Sequence, residues 1–246
     1  MSELPLAGRT VVVTRATDQA GSLTVALEAE GATVVELPVV AIAEPADGGA
    51  ALDAALAGIA GCDWVVVTSP NGARRVVDRL GGGVPAATRF AAVGPKTAAP
   101  LVDAGIPVDL VPDRAVAESL LEAFPAPPPD GGRVLLARAE VARDVLPDGL
   151  RAAGWEVDVV VAYRNVEPDV DPDVLAAARA ADAVAFTAES TVRRYTALAG
   201  GPTPADAVCI GPISAAAARE LGYRAVEAEP HSVDGLVAAA CAWATG

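Results

Sequence analysis

Residues 64–75 read WVVVTSPNGARR. The unbroken apolar, β-branched run from Trp64 to Thr68 suits a strand covered on both faces, because alternation disappears once neither face meets water. Ser69 then fits an N-cap with Pro70 at the first helical position, and Ala73-Arg74-Arg75-Val76-Val77 continues at helical spacing. Similar runs lie at Thr10 to Thr14, Thr33 to Leu37, Arg89 to Val93 and Val108 to Val111 on one side of residue 130. Beyond it they recur at Arg133 to Ala137, Glu156 to Ala162, Ala183 to Thr187, Ala207 to Ile210 and Tyr223 to Ala228, with alanine-rich helical stretches between. Strand–helix alternation implies right-handed crossovers and a parallel sheet, so the expected class is α/β, doubly wound.

The two sets of runs form an internal repeat. Adding 123 carries Arg15 to Arg138, Gly31 to Gly154 and Glu44-Pro45 to Glu167-Pro168. Adding 119 carries Thr68 to Thr187 and Arg74-Arg75 to Arg193-Arg194, and adding 117 carries Gly94-Pro95 to Gly211-Pro212 and Gly105 to Gly222. The repeat predicts two similar five-stranded lobes facing a cleft, with ligands at the carboxyl ends of the strands. Pro125 to Gly132, PAPPPDGG, has linker composition and suggests a cut near residue 130; a swapped arrangement with crossings near Val39 to Ala41 and Ala162 to Arg164 fits the repeat equally well.

Composition narrows the function. The 246 residues are 52% hydrophobic, with 18 basic against 32 acidic side chains and a net charge of -14, which opposes binding to nucleic acid or an anionic membrane surface. No apolar run reaches the roughly 20 residues of a membrane span, and the N-terminus has no basic leader, so a cytoplasmic protein is expected. Three dispersed cysteines and a single histidine, His231, exclude a disulfide framework and a zinc-ligand pattern. Neither GxGxxG nor a phosphate-loop signature is present, so no nucleotide cofactor is expected.

Four strand-to-helix turns carry the candidate chemistry. Ser69-Pro70-Asn71-Gly72 offers free backbone N–H groups at the positive end of a helix, an anion cradle or ordinary capping; its partner Thr187-Ala188-Glu189-Ser190 has lost proline and glycine and gained a carboxylate. Gly94-Pro95-Lys96-Thr97 and Gly211-Pro212-Ile213-Ser214 each place a glycine for close approach, a helix-starting proline and a hydroxyl two residues later. Lys96, the only lysine, is misplaced for the helix dipole and either serves a ligand or is simply solvated. Arg15 and Arg138 end the first strand of each half, where a guanidinium could fork onto a carboxylate or form a structural ion pair. Tyr163 stands where the other half has Val40; it is a phenol able to donate to a leaving oxygen, or a core aromatic with a wet tip.

In this order VVVTR, VVVTSPNGARR, AAVGPKTA, the stretch from Arg138 to Leu150 leading to VVVAYR, FTAESTVRR and CIGPISAAAARELG resemble the uroporphyrinogen-III synthase family along nearly the whole chain. The resemblance implies an enzyme without metal or cofactor that acts on hydroxymethylbilane, a linear octacarboxylate tetrapyrrole. Such enzymes remove the terminal hydroxyl, pass through a spiro intermediate, invert ring D and close the macrocycle. It also implies the swapped connectivity, with residues 1–38 and 165–246 in one lobe, 42–161 in the other, and crossings at 39–41 and 162–164. Tyr163 matches the family's candidate for assisting hydroxyl departure. Ser69, Asn71, Thr97, Ser190 and Ser214 match cleft-lining positions, and backbone N–H groups after Gly94 and Gly211 would hold carboxylates, with Arg15, Lys96 and Arg138 as further binding residues. The expected protein is a monomer that takes the bilane from the enzyme forming it. The chain departs from the family's TSxS and GPTT patterns at Ala188-Glu189 and Ile213-Ser214. A noncatalytic sensor of tetrapyrroles or other anions on the same scaffold, and a nucleotide-dependent transferase, are the other function classes.

Overall fold

The structure, a computed structural model, describes residues 4–14, 17–80 and 83–246. In chain order the elements are β1 (Thr10–Val13), α1 (Thr17–Ala29), β2 (Thr33–Glu36), β3 (Ala41–Ala43), α2 (Ala50–Ala57), β4 (Trp64–Val67), α3 (Pro70–Arg79), β5 (Arg89–Ala92), α4 (Pro95–Asp103) and α5 (Ala117–Ala123). There follow β6 (Arg133–Ala139), α6 (Val145–Ala152), β7 (Glu156–Val166), α7 (Pro172–Arg179), β8 (Ala183–Phe186), α8 (Glu189–Ala199), β9 (Asp206–Cys209), α9 (Pro212–Glu220), β10 (Arg224–Glu227) and α10 (Val233–Thr245). The chain divides into two compact units, Met1–Ala41 with Glu167–Gly246 (unit 1) and Ile42–Val166 (unit 2).

Unit 1 holds a sheet of order β10-β9-β8-β1-β2, parallel throughout. The valines of β1 divide between its faces as strand alternation requires: Val12 packs with Phe186, Val192 and Tyr195, and Val11 and Val13 pack with Leu23, Leu27 and Leu236. Burying each such side chain stabilises the fold by about 1.5–3 kcal/mol. Helices on both faces confirm the doubly wound class.

Unit 2 holds a sheet of order β3-β7-β6-β4-β5, and its β7-β6-β4-β5 ladders are parallel. Here β4 feeds two cores: Val65 and Val67 meet Leu52, Val76 and Leu101, whereas Trp64 and Val66 meet Leu120, Leu146 and Trp155. Traced from β5 to β7, this sheet repeats the order of unit 1 from β9 to β2, and β3 is added beyond β7.

The expected strand at Val108 to Val111 is not formed. That segment makes one isolated parallel bridge, Leu110 to Ala91. Pro107 and Pro112 flank it without N–H groups, and the Asp109 side chain accepts from the Phe90 N–H at 2.9 Å. Residues 162–164, expected as a crossing, lie inside β7, where Arg164 Nε donates to the Glu44 carbonyl at 2.9 Å. Pro125 to Gly132 connects α5 to β6 within unit 2, anchored by Trp155 Nε1 donating to the Pro125 carbonyl at 3.0 Å.

Candidate active site

In each unit the winding reverses between two neighbouring strands, β1 and β8 in unit 1 and β6 and β4 in unit 2. Sequential connections there run to opposite sides, the topology in which open α/β sheets bind ligands at the carboxyl ends of their strands. Nearly all the candidate residues lie on the turns that leave the carboxyl ends of the strands. Arg15 lies outside the described residues.

In unit 2, Ser69 caps α3, its Oγ accepting from the Gly72 N–H at 3.0 Å, and Asn71 Oδ1 accepts from Arg74 at 3.2 Å. Gly94 starts α4 from extended backbone without a side-chain cap. Thr97, one turn in, is buried, and its hydroxyl has no hydrogen-bond partner among the described residues. Lys96 is exposed and forms no ion pair with the described residues. Arg138 is engaged within the protein: Nη2 meets Asp144 at 2.7 Å and Nη1 donates to the Arg143 carbonyl at 3.1 Å. It lines a cavity of about 290 Å3 with Thr68, Val93, Ala115, Leu136 and Leu146. Beside it Arg143 grips Glu118 through both carboxylate oxygens, which holds that carboxyl below its usual range.

Tyr163 owes its place to a register shift. Arg138 pairs with Val161 but Ala139 pairs with Tyr163, so Ala162 is an extra residue in β7. Such a bulge bends the strand and re-aims the side chains that follow. Consequently Val160, Ala162 and Tyr163 all join one core cluster, which strict alternation would forbid. The Tyr163 ring is pinned near α3, where a Cβ on Gly72 would stand 3.9 Å from its Cε1, and its carbonyl accepts from the Glu140 N–H at 3.0 Å. The residue is 6% exposed, yet its hydroxyl is unsealed and makes no hydrogen bond among the described residues. α3 is braced from behind, for Glu44 pairs with Arg75 and, at 2.6 Å, with Arg79.

Unit 1 differs in detail. Ala188 leaves α8 without a side-chain cap, Ser190 is exposed, and Glu189 pairs with Arg193 at 2.9 Å, which also reaches Glu220 at 3.0 Å. Glu189 thus has a cationic partner, which it shares with Glu220. Gly211 starts α9, and the buried Ser214 hydroxyl donates to the Gly211 carbonyl at 2.9 Å. Ile213 is 72% exposed beside it. At the end of β9, burial pushes the Cys209 thiol up to about 11, so it supplies no thiolate nucleophile near neutral pH.

One residue at these turns escapes sequence reasoning. His231, which no partner motif surrounds, lies against Gly211: a Cβ there would be 3.4 Å from its ring. The available signal is its position just before Ser232, the N-cap of α10, as Ala115 precedes Val116, the N-cap of α5.

Unit 2 by itself offers helix N-terminal N–H groups, the Thr97 hydroxyl and one fixed phenol, and unit 1 by itself offers the N-terminal N–H groups of α8 and α9; such groups suit anions and, at the phenol, one proton transfer. A family model described as uroporphyrinogen-III synthase HemD matches residues 21–238. The uroporphyrinogen-III synthase of Synechococcus elongatus is 36% identical over 99% of this chain and 98% of its own length. Among solved structures, a mutant uroporphyrinogen III synthase from the extremely thermophilic bacterium Thermus thermophilus shares the fold with TM-score 0.60 at 24% identity over 97% of this chain and 99% of that one. The uroporphyrinogen-III synthetase of Helicobacter pylori does so with TM-score 0.64 at 18% identity, over 96% and 99%. With the family model matching most of the chain and a full-length relative above one-third identity, this chain belongs to the uroporphyrinogen-III synthase family.

Proposed function

We propose that the chain closes hydroxymethylbilane to uroporphyrinogen III, with Tyr163 as the proton donor to the departing hydroxyl. The observation that carries this role is a phenol whose ring is fixed by a bulge and by α3 while its hydroxyl has no partner among the described residues. The C–O bond of the terminal hydroxymethyl group breaks as the phenol proton passes to that oxygen, and water leaves. The electrophilic carbon is then attacked by ring D, whose inversion through the spiro intermediate precedes closure. The phenolate recovers a proton when the last pyrrole carbon is deprotonated, so the cycle balances without a co-reactant.

The chain's other residues position the substrate. Backbone N–H groups after Ser69, Gly94 and Gly211, with the Thr97 hydroxyl, hold carboxylates; orientation of this kind can supply a large part of a barrier reduction. Arg138 contributes through its remaining N–H donors, since Asp144 and the Arg143 carbonyl already take two. Glu189, paired with Arg193, leaves Ser190 a lesser part.

The test is product identity. The bilane is generated in place, and the products are oxidised and separated as isomers. With the protein the type III isomer dominates; without it type I does. A ratio that stays at type I with saturating protein rejects the reaction, and saturable binding without turnover would mark a sensor instead.

A further inference from the structure

One residue of unit 2, Glu44, ties the helix that the Tyr163 ring faces to the strand that carries it. On α3, Gly72, Arg75 and Arg79 stand at i, i+3 and i+7 and so share one stripe of the helix. At the start of that stripe lies the phenol: a Cβ on Gly72 would be 3.9 Å from Tyr163 Cε1 and 3.4 Å from the Ala137 carbonyl oxygen. Further along lies Glu44, whose Oε1 pairs with Arg75 and whose Oε2 pairs with Arg79 at 2.6 Å. The backbone of the same glutamate is held by β7, because Arg164, the residue after Tyr163, donates from Nε to the Glu44 carbonyl at 2.9 Å. Glu44 thus clamps α3 to β7 beside the phenol.

The repeat supplies a comparison. Adding 123 carries Glu44 to Glu167, and adding 119 carries Arg75 to Arg194 and Arg79 to Leu198. Glu167 and Arg194 are both exposed, and neither forms an ion pair with the described residues. Unit 1 therefore keeps the glutamate and one arginine but not the clamp, and at the repeat position of Tyr163 it has Val40, with no proton to aim. The unit with the clamp is the unit with the phenol.

We propose that Glu44 is a positioning residue for the reaction: by holding α3 against β7 it keeps the Tyr163 hydroxyl on the departing oxygen. This rests on the proposed role of Tyr163 and adds the residue that aims it. The clamp acts on geometry more than on stability. Without Glu44, Arg79 keeps Asp53 at 3.1 Å and the Gly48 carbonyl at 3.5 Å, and Arg75, a quarter exposed, can turn to water. Half-exposed pairs add little to stability, whereas a displacement of about 1 Å at a reacting group can cost about 100-fold in rate.

The experiment is a double-mutant cycle on steady-state rates with bilane generated in place, comparing wild type, Glu44→Ala, Tyr163→Phe and the double variant. Glu44→Gln is the milder variant and carries the cycle if Glu44→Ala does not fold; a thermal melt and an isomer ratio accompany each protein. Glu44→Ala should lower kcat about 5- to 20-fold with KM within about twofold, and Glu44→Gln, which keeps one acceptor oxygen, should lower it less. In the Tyr163→Phe background the same substitutions should change kcat by less than about twofold, because no hydroxyl is left to misplace. The decrease in Tm, by contrast, should be the same in both backgrounds. An equal fold-loss of kcat in both backgrounds overturns the inference alone, since Glu44 then acts without the phenol, and so does wild-type kcat in a folded Glu44→Ala protein. Wild-type turnover in Tyr163→Phe overturns the role of the phenol and this inference with it.

Discussion

Unit 1 and unit 2 repeat one strand order and one set of strand-to-helix turns, yet they finish those turns differently. In unit 2 the methyl of Ala115 fills the space over Gly94, the Thr97 hydroxyl is unpartnered among the described residues, and a bulge turns Tyr163 into the α3 side of the sheet. In unit 1 an imidazole covers Gly211, the Ser214 hydroxyl closes on its own N-cap carbonyl, and Glu189 fills the N-terminal turn of α8. The two units present equivalent frames and differ at single residues at the carboxyl ends, where a change of side chain alters the chemistry offered.

The sharpest way to break the comparison is at Tyr163. Tyr163→Phe keeps the ring and removes the unpartnered hydroxyl, so turnover should fall about 10- to 1000-fold with a smaller change in KM. Val40→Phe in unit 1, a control at the repeat position, should leave turnover within about threefold. Steady-state rates on bilane generated in place check both, and a Tyr163→Phe enzyme with wild-type turnover would make the tyrosine a packing residue.

The glycine positions should separate next. Gly94 and Gly211 are both extended, so only space decides the cost of a methyl. Gly94→Ala forces the 111–116 segment away from α4 and should cost about 1–3 kcal/mol. Gly211→Ala meets the imidazole at ordinary contact distance and should cost within about 0.5 kcal/mol. Chemical denaturation of the two variants measures the difference; equal losses would mean that Ala115 yields freely.

Hydroxyl deletion sharpens the contrast further. Thr97→Ala should raise KM about 3- to 10-fold, because an unpartnered hydroxyl is available to substrate, whereas Ser214→Ala should change KM less than about twofold. Reversal of that order would show that the Ser214 hydroxyl leaves Gly211 when substrate binds.

The smallest effect lies at the strand starts of unit 1. Hydrogen bonding from Arg224 holds the Asp206 carboxyl below its ordinary value of 3.8. A depressed carboxyl stabilises the fold above its unfolded value, and that contribution is lost as pH falls through the folded one. With Arg224 largely exposed, solvent screening keeps the contribution of the pair small. Asp206→Asn should therefore lower the melting temperature slightly at pH 6 and converge with wild type in acid, once the depressed carboxyl is protonated.

Much of this is readable before folding. Val65, Val66 and Val67 announce a strand buried on both faces, and Ser69-Pro70 announces the helix after it, since both signals depend on neighbours in sequence. Four residues show where local reading stops. Val108 and Val111 have strand propensity, but the Asp109 carboxylate occupies the Phe90 N–H and two prolines end the ladder. Arg138 reads either as a fork for a carboxylate or as a structural ion pair, and only the fold brings Asp144, six residues on, into range. His231 looks isolated because its neighbour, Gly211, is brought by another strand.

By itself, then, the sequence determined the α/β class, the repeat, and the turns at which helices begin, because burial pattern, proline and N-cap chemistry act over a few residues. Tertiary structure decided which strands share a sheet, with β1 beside β8 and β4 beside β6. It decided the extra residue at Ala162 that aims Tyr163, and the packing of the His231 imidazole on the distant Gly211. These depend on register and on contacts between separate segments, and a one-residue shift in register reverses the face a side chain takes while leaving the local pattern unchanged.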